Sequence, residues 1–371
     1  MTIVALTALL LVVYTYAGYP LLVAALAKIA PRAPSERDDF EPFVSICIAA
    51  HNGQAYIERK LNSLRSLDYP PEKLEILLYS DGSTDGTARI ARELAESDPR
   101  IRVLESADRL GKPAALNRLV AAAKGEVLLM TDVRQPIAPK ALRALLRLLA
   151  DPRVGCVSGS LVLQGNTGAS AYWHYEKFIR ASEARLGGMV GVSGSLYAVR
   201  REDFEELPLD TLLDDMFVPL RVARRKKSVI FSSEAEAYDE ACDDDREFSR
   251  KVRTLAGNYQ LVARMPWLLV PGENPVWFQM VSHKLLRLAC PWALLALLGS
   301  SLLLAVMPGG SPNTLLFWRS LALGQLLFYG LALLGPRAGR IASLARTFVV
   351  LNAAALVGLW RFMRGSQAVT W

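Results

Sequence analysis

The sequence predicts an α/β protein with a doubly wound, mostly parallel β-sheet and transmembrane helices near both ends of the chain. Three observations support this architecture. Short apolar, β-branched segments alternate with helical patterns across residues 43–131, which is the order of consecutive βαβ units. Residues 1–27 and 288–307 contain no charged side chain and are long enough to cross a bilayer. Polar residues follow the predicted strands directly, at the edge where such sheets bind ligands.

The predicted soluble domain begins with four strands that alternate with three helices. Residues 43–50 are apolar and β-branched, as expected of a strand buried on both faces. The Asp-Gly turns at residues 81–86 lead into a helix that Thr84 or Asp85 would cap. Right-handed crossovers between these strands make the sheet mostly parallel. The strands are predicted at 43–50, 74–79, 101–104 and 126–131, and the helices at 56–67, 87–96 and 113–123.

The flanking apolar segments predict a multi-pass protein of the inner (plasma) membrane. Lys28, Arg32 and Arg37 follow the first segment, and the positive-inside rule then places the middle of the chain in the cytoplasm. Whether residues 341–360 span the membrane stays open, because an arginine interrupts that segment. The predicted divisions are a transmembrane helix at 1–30, a linker at 31–42, a cytoplasmic domain at 43–267, an interfacial segment at 268–287, and two to three transmembrane or re-entrant helices at 288–371.

The positive charge of the chain belongs to its apolar ends. The 371-residue protein has a net charge of +7, yet residues 284–371 contain eight Lys and Arg and no acidic residue. Residues 1–30 add only Lys28, so residues 31–283 carry a net charge of −2. A nucleic-acid-binding domain needs a basic face, so no nucleic-acid partner is expected, whereas membrane lipids are. The four cysteines match no metal-site spacing, which predicts buried free thiols.

Six motifs occur along the predicted domain. They are AAHNG (49–53), YSDGSTDGT (79–87), LGKPAALN (110–117), TDVRQ (131–135), LDDMFVP (213–219) and RKVRTLAGNYQ (250–260). Their order and spacing resemble the membrane-bound branch of glycosyltransferase family 2, which includes hyaluronan, chitin and cellulose synthases. The resemblance implies a GT-A fold over residues 43–267, a nucleotide-sugar donor (usually a UDP-sugar), Mg²⁺ or Mn²⁺ as cofactor, and sugar transfer with inversion at the anomeric carbon.

Donor-binding residues are predicted near the ends of the strands. Asp81 matches the first aspartate of the family, and the resemblance implies that it accepts a hydrogen bond from uracil N3–H. The backbone of Ala49 and His51 would hold the other face of the base, while the His51 side chain is interpreted as a satisfied histidine at a strand end. Lys112 lies beside a helix start, where a cation and free N–H groups suit phosphate. Asn117 is either a structural cap or a donor contact.

Asp132 is the predicted metal ligand. The resemblance assigns it as the first Asp of an Asp-X-Asp motif, but Arg134 stands where the second Asp is expected. A hard divalent ion takes carboxylate, phosphate and water oxygens. One carboxylate and a diphosphate could therefore still hold Mg²⁺ or Mn²⁺. Alternatively, Arg134 itself supplies part of the positive charge.

Catalysis is assigned to an acidic pair and two arginines. Glycosyl transfer needs a general base to take the proton of an acceptor hydroxyl. The resemblance implies that Asp215 is this base, with Asp214 orienting or tuning it. Arg250 and Arg253 lie at i and i+3 of a helical pattern, so together they could hold a diphosphate leaving group.

Two further features concern the acceptor sugar. Thr254 stands where the family has a tryptophan that borders this sugar, so Trp267, Tyr259 or Trp173 is expected to substitute for it. Gly194 lies in a turn of small residues, where a sugar could approach the backbone.

The sequence therefore predicts an inverting, membrane-bound hexosyltransferase that acts on a growing polysaccharide or a lipid-linked acceptor. A second hypothesis is a catalytically weak nucleotide-sugar-binding subunit of a polysaccharide export complex, because the metal and tryptophan motifs have changed. Three or four membrane spans leave little wall for a polymer channel, so an oligomer or an export partner is expected if the product is a polymer.

Overall fold

The computed structural model describes residues 1–164, 168–240, 244–308 and 310–369. Within this part of the chain, seven strands form one mixed sheet in the order β3-β2-β1-β4-β6-β5-β7. Four neighbouring pairs are parallel, whereas β6 runs antiparallel to β4 and to β5. The strands are β1 (Val44–Ala50), β2 (Leu74–Asp81), β3 (Ile101–Ser106), β4 (Val127–Met130), β5 (Val154–Gln164), β6 (Tyr197–Arg200) and β7 (Ser228–Glu240).

Eleven helices are used below to locate the site. Those of the domain are α2 (Gln54–Arg65), α3 (Thr87–Ser97), α4 (Lys112–Ala122), α5 (Ala141–Leu149), α6 (Gly168–Arg185), α7 (Asp214–Arg224) and α8 (Asp244–Arg264). The long apolar ones are α1 (Thr2–Ile29), α9 (Trp277–Val306), α10 (Pro312–Leu334) and α11 (Arg340–Met363).

The predicted α/β sheet is confirmed, and its first elements lie close to their expected bounds. Every residue of β1 and β2 is buried, which is the reason these strands are rich in apolar residues. β2 continues two residues beyond the predicted end and includes Asp81. The N-cap of α3 is Gly86 and neither predicted candidate, although Asp85 accepts a hydrogen bond from the Thr87 N–H at 3.0 Å. Cys47, Cys156 and Cys290 are buried free thiols, as predicted, and Cys242 lies outside the described residues.

Four helices of the described chain are long and apolar enough to cross a membrane. They include α11, which has 24 residues and covers the segment that the sequence left open. Residues 277–287 were expected to form part of a separate interfacial segment. They are helical and continue without a break into α9, because no proline or glycine interrupts residues 277–290.

A buried polar cluster joins two of these helices to the domain. The Tyr19 hydroxyl of α1 donates to Glu183 Oε1 of α6 at 2.6 Å. His283 of α9 lies between two carboxylates of α6, 2.8 Å from Glu183 Oε1 and 3.3 Å from Glu176 Oε2. Arg287 pairs with the other oxygen of Glu176. Because buried charges are stable only when paired, this cluster fixes how α1 and α9 meet the domain.

The last long helix, α11, packs directly against α8. A Cβ at Gly358 of α11 would come within 2.9 Å of the Ala256 backbone nitrogen of α8, so the two helix backbones are in close contact there. Phe362 stacks on Tyr259 with the ring centroids 6.1 Å apart. This contact places α11 beside the helix that carries Arg250 and Arg253.

Candidate active site

A cavity of about 1100 Å³ lies at the carboxyl ends of β1 and β4. Seven of the nine predicted site residues line it, and Asp81 and His51 do not. One side is formed by the sheet and its neighbouring loops, and the other by α8 and α11. The lining includes Ala49, Lys112, Asp132, Gly194, Asp214 and Asp215, together with Trp173 and Arg180 of α6, Arg250 and Arg253 of α8, and Ser343, Arg346 and Thr347 of α11.

Lys112 holds two carboxylates at the inner end of this cavity. It is the first residue of α4 and follows Gly111, whose φ of 92° suits glycine. Its Nζ lies 2.9 Å from Asp132 Oδ1 and 3.2 Å from Asp214 Oδ2. Burial alone would lower the pKa of Lys112, but the two carboxylates raise it above its usual value. The ammonium group therefore stays charged at neutral pH.

Asp215 has the properties that a general base needs. It lies in the first turn of α7, and its backbone oxygen accepts from the Val192 N–H at 2.9 Å. Burial and the neighbouring charge of Asp214 raise the pKa of Asp215 to about 6, against the opposing effect of Lys112. A base with a pKa near 6 is ionised at pH 7 and still basic enough to accept a proton.

Gly194 separates Asp215 from Asp132. A Cβ at this position would lie 3.8 Å from Asp215 Oδ2 and 3.8 Å from Asp132 Oδ2. The missing side chain leaves open space between the two carboxylates. That space is bordered by the candidate base on one side and by the Lys112 ion pair on the other.

Asp81 does not line the cavity, but it positions a loop of the site. Its carboxylate is fully buried and accepts from the backbone N–H groups of Leu110 and Gly111 at 2.7 and 2.8 Å. These bonds position the loop that leads to Lys112. His51 Nδ1 bonds to the Asp81 backbone oxygen at 2.7 Å, in agreement with its interpretation as a satisfied strand-end histidine. A contact between Asp81 and uracil stays a prediction.

Arg134, which replaces the second Asp of the motif, is held by a residue of β7. Its guanidinium pairs with Asp239 Oδ2, and Gln135 Nε2 donates to the same oxygen at 2.8 Å. Asp239 is buried, so the ion pair fixes Arg134 at the cavity wall. Arg134 is therefore held in a fixed position in the site. No signal in the sequence linked it to Asp239.

The described residues could hold a metal ion only together with oxygen atoms of a bound nucleotide-sugar donor. Within the described residues, no group of three or more His, Cys, Asp or Glu side chains could hold one. Asp132 is 38% exposed, and its Oδ2 faces the space beside Gly194 while Oδ1 pairs with Lys112. A divalent ion could take one ligand from Asp132 and the others from a diphosphate and water.

Lys60 is a functional candidate that the sequence analysis missed. Its side chain is fully buried, and Nζ donates to Thr131 Oγ1 at 2.6 Å and to the Gln135 carbonyl at 2.5 Å. These bonds hold both sides of the loop that carries Asp132. The sequence did contain a signal that Lys60 is buried, because Lys60 lies on the same helix face as the apolar residues Ile57, Leu61 and Leu64.

Some residues predicted to bind the diphosphate or the acceptor line the cavity, whereas others pack elsewhere. Arg253 Nη2 donates to the Val369 carbonyl at 3.1 Å, and its Nε is buried without a hydrogen-bond partner among the described residues. Of the three aromatic candidates for the acceptor, Trp173 lines the cavity. Trp267 is buried under Arg224, and Tyr259 stacks on Phe362.

Asn117 has a structural role. Its side chain donates to the Leu207 carbonyl and accepts from the Leu207 N–H, both at 2.8 Å. The pair of bonds ties α4 to the segment before α7. These bonds agree with a structural role for Asn117, which is one of the two alternatives that the sequence left open.

The sheet and its helices form a GT-A fold. A family model described as "Glycosyl transferase family group 2" matches residues 135–358, and one described as "Glycosyl transferase family 2" matches residues 45–208. The chain therefore belongs to glycosyltransferase family 2, as its motifs predicted.

Similar proteins of known name include synthases of different products. "Beta-monoglucosyldiacylglycerol synthase" of Nostoc sp. is 28% identical over 192 residues, which are 49% of this chain and 41% of that protein. "Chondroitin synthase" of Pasteurella multocida is 32% identical over 134 residues, which are 33% of this chain and 14% of that protein. The match thus spans less than half of either relative.

A solved structure matches almost the whole chain. It is "Mannosyltransferase PcManGT from Pyrobaculum calidifontis in complex with GDP-Man and Mn2+", with a TM-score of 0.78 and 24% identity. The alignment covers 98% of this chain and 100% of that one. The likeness shows that both chains share one fold, including the long apolar helices.

Proposed function

We propose that this protein is an inverting, membrane-bound glycosyltransferase. It moves a hexose from a nucleotide-sugar, with UDP as the expected nucleotide, to a hydroxyl group of a lipid-linked acceptor or a growing polysaccharide. The observation that carries the proposal is the arrangement of Asp132 and Asp214 on the Lys112 ammonium, with Asp215 across the open space at Gly194. A cation for the diphosphate and a base for the acceptor thus border one space.

Asp215 would perform the proton transfer. In its ionised form it removes the proton of the acceptor hydroxyl as that oxygen bonds to the anomeric carbon. The bond between this carbon and the diphosphate oxygen breaks at the same time, and the nucleoside diphosphate leaves from the opposite face. Because attack and departure occur on opposite faces, the configuration inverts.

The cations of the cavity would stabilise the departing diphosphate. Lys112 remains charged, and Arg250 and Arg253 of α8 line the same cavity. Fixed positive charges aimed at a leaving group favour the transition state, in which negative charge develops on the diphosphate. Asp132 would hold a Mg²⁺ or Mn²⁺ ion, which supplies further positive charge to the diphosphate when bound.

The acceptor is proposed to arrive from the membrane. The four apolar helices favour an inner-membrane protein, and the basic residues after α1 and before α11 favour a cytoplasmic domain. One relative is named for a glucosylated diacylglycerol and another for chondroitin, so relatives of this chain are named for both lipid and polysaccharide products.

The test is release of a nucleoside diphosphate by the full-length protein in nanodiscs. A panel of UDP- and GDP-sugars is offered with Mg²⁺ or Mn²⁺. Asp215→Asn should lower transfer by about 10² to 10⁴-fold. Asp210→Asn is the matched control, because Asp210 is exposed and pairs with Arg264 away from the cavity.

A binding subunit remains the second candidate function, because Arg134 and Thr254 replace two motif residues of the family. Donor binding measured by calorimetry, with no turnover of any sugar in the panel, would favour it. Turnover that depends on Asp215 would exclude it.

A further inference from the structure

One cation of the cavity belongs to a membrane helix. Arg346 of α11 is exposed, and it lines the same cavity as Asp132 and Asp215. Within the described residues, no hydrogen bond or ion pair engages its guanidinium. Arginine in an apolar helix is costly, so such a residue usually faces a polar partner.

The direction of Arg346 is set by its packing. A Cβ at Gly335 would come within 2.8 Å of Arg346 Cδ, so the arginine stem lies directly over this glycine. Gly335 has a φ of 59°, a conformation that favours glycine. The guanidinium is therefore held beside the end of α10.

The cavity wall on α11 changes from polar to apolar along the helix. Ser343, Arg346 and Thr347 come first, and Val350 and Leu351 follow about one turn later. The polar part of this wall therefore lies nearer the start of α11, and the apolar part lies nearer its centre.

We propose that Arg346 binds the phosphate or diphosphate of a lipid acceptor, whose hydrocarbon chain lies along Val350 and Leu351. The accepting hydroxyl of its headgroup would then extend into the cavity toward Asp215. The order of charge and apolar surface on α11 matches the order of groups in such a lipid. A guanidinium recognises phosphate by paired, charge-assisted hydrogen bonds. Arg346 is thus a residue that determines acceptor specificity, and the inference rests on the proposed function.

The experiment compares two acceptors that differ only in charge. The full-length protein in nanodiscs receives a hexosyl-diphosphoprenol or a hexosyl-prenol of the same chain length, with a nucleotide-sugar that it hydrolyses. The wild type should show a KM about 10- to 100-fold lower for the diphosphate lipid. Arg346→Gln should remove most of this preference, and Arg346→Lys should keep part of it. Arg340→Gln is the control, because Arg340 lies on the same helix outside the cavity lining.

The outcomes separate this inference from the proposed function. Equal use of both lipids by the wild type, an unchanged preference in Arg346→Gln, or transfer to neither lipid by a protein that hydrolyses its donor would each overturn the role of Arg346. Only a failure to consume any nucleotide-sugar would count against the proposed function itself.

Discussion

The ammonium nitrogen of Lys112 lies 2.9 Å from Oδ1 of Asp132, which joins the start of α4 to the end of β4 inside the cavity. Lys112 is only 18% exposed, so water screens this pair weakly. Its nitrogen also reaches Asp214. One cation thus pairs with two carboxylates beside the space proposed for the donor.

Replacing Lys112 should impair transfer strongly. Lys112→Met removes the charge proposed to face the diphosphate, and we expect kcat to fall about 10² to 10³-fold. Sugar transfer is measured with saturating donor, and thermal melting of the same preparation checks the fold. Lys140→Met is the control, because Lys140 is exposed and outside the lining. Full activity of Lys112→Met would remove the lysine from the mechanism.

On the acid side of its pH profile, the transfer activity should fall as Asp215 becomes protonated. Its pKa is raised to about 6, so protonation should remove the base as the pH falls through 6. We expect kcat/KM to drop tenfold per unit below that pH. Asp214→Asn removes a charge that raises this pKa, so its profile should shift toward lower pH. A wild-type midpoint near 4, the usual value for aspartate, would contradict the assignment.

Adding one methyl group at Gly194 should block the reaction without unfolding the protein. A Cβ there meets Asp215 and Asp132 only at 3.7 and 3.8 Å, which is ordinary van der Waals contact. The methyl group would nevertheless occupy the space proposed for the reacting sugar. Gly194→Ala should lower kcat/KM at least about 10-fold and leave the melting temperature close to that of wild type. Gly299→Ala, which adds a methyl group in open space, serves as control.

Lys60 should make the stability of the protein depend on pH. Burial lowers the pKa of Lys60 to about 7, whereas an unfolded chain has a lysine pKa near 10.4. Between these values the unfolded state binds more protons, so the free energy of unfolding should rise with pH by up to about 1.4 kcal/mol per unit. Lys60→Met lacks this contribution.

The Lys60 prediction is checked by denaturation at pH 7.5, 8.5 and 9.5. The stability difference between wild type and Lys60→Met should grow with pH in favour of the wild type. Lys140→Met should differ from the wild type by a constant amount. A constant difference for Lys60→Met as well would show that Lys60 keeps its ordinary pKa.

The local elements were predictable because their signals are local. Buried strands such as β1 and β2 are rich in apolar residues, and the long apolar segments formed the long helices. The motifs placed Lys112, Asp132 and Asp215 near one edge of the sheet, since the carboxyl ends of parallel strands meet there. The aromatic and basic residues before residue 288 are helical and continuous with α9.

The sequence by itself determined the fold class and the family, and seven of its nine predicted site residues border the cavity. Tertiary structure alone decided what several of those residues contact. Asp81 binds the backbone before Lys112, Arg134 pairs with an aspartate 105 positions away, and Arg346 of the last long apolar helix joins the same cavity. Periodicity and motif spacing describe neighbours within a strand or a helix. Partners far apart in the chain are chosen by how whole elements pack, so they become visible only in the folded molecule.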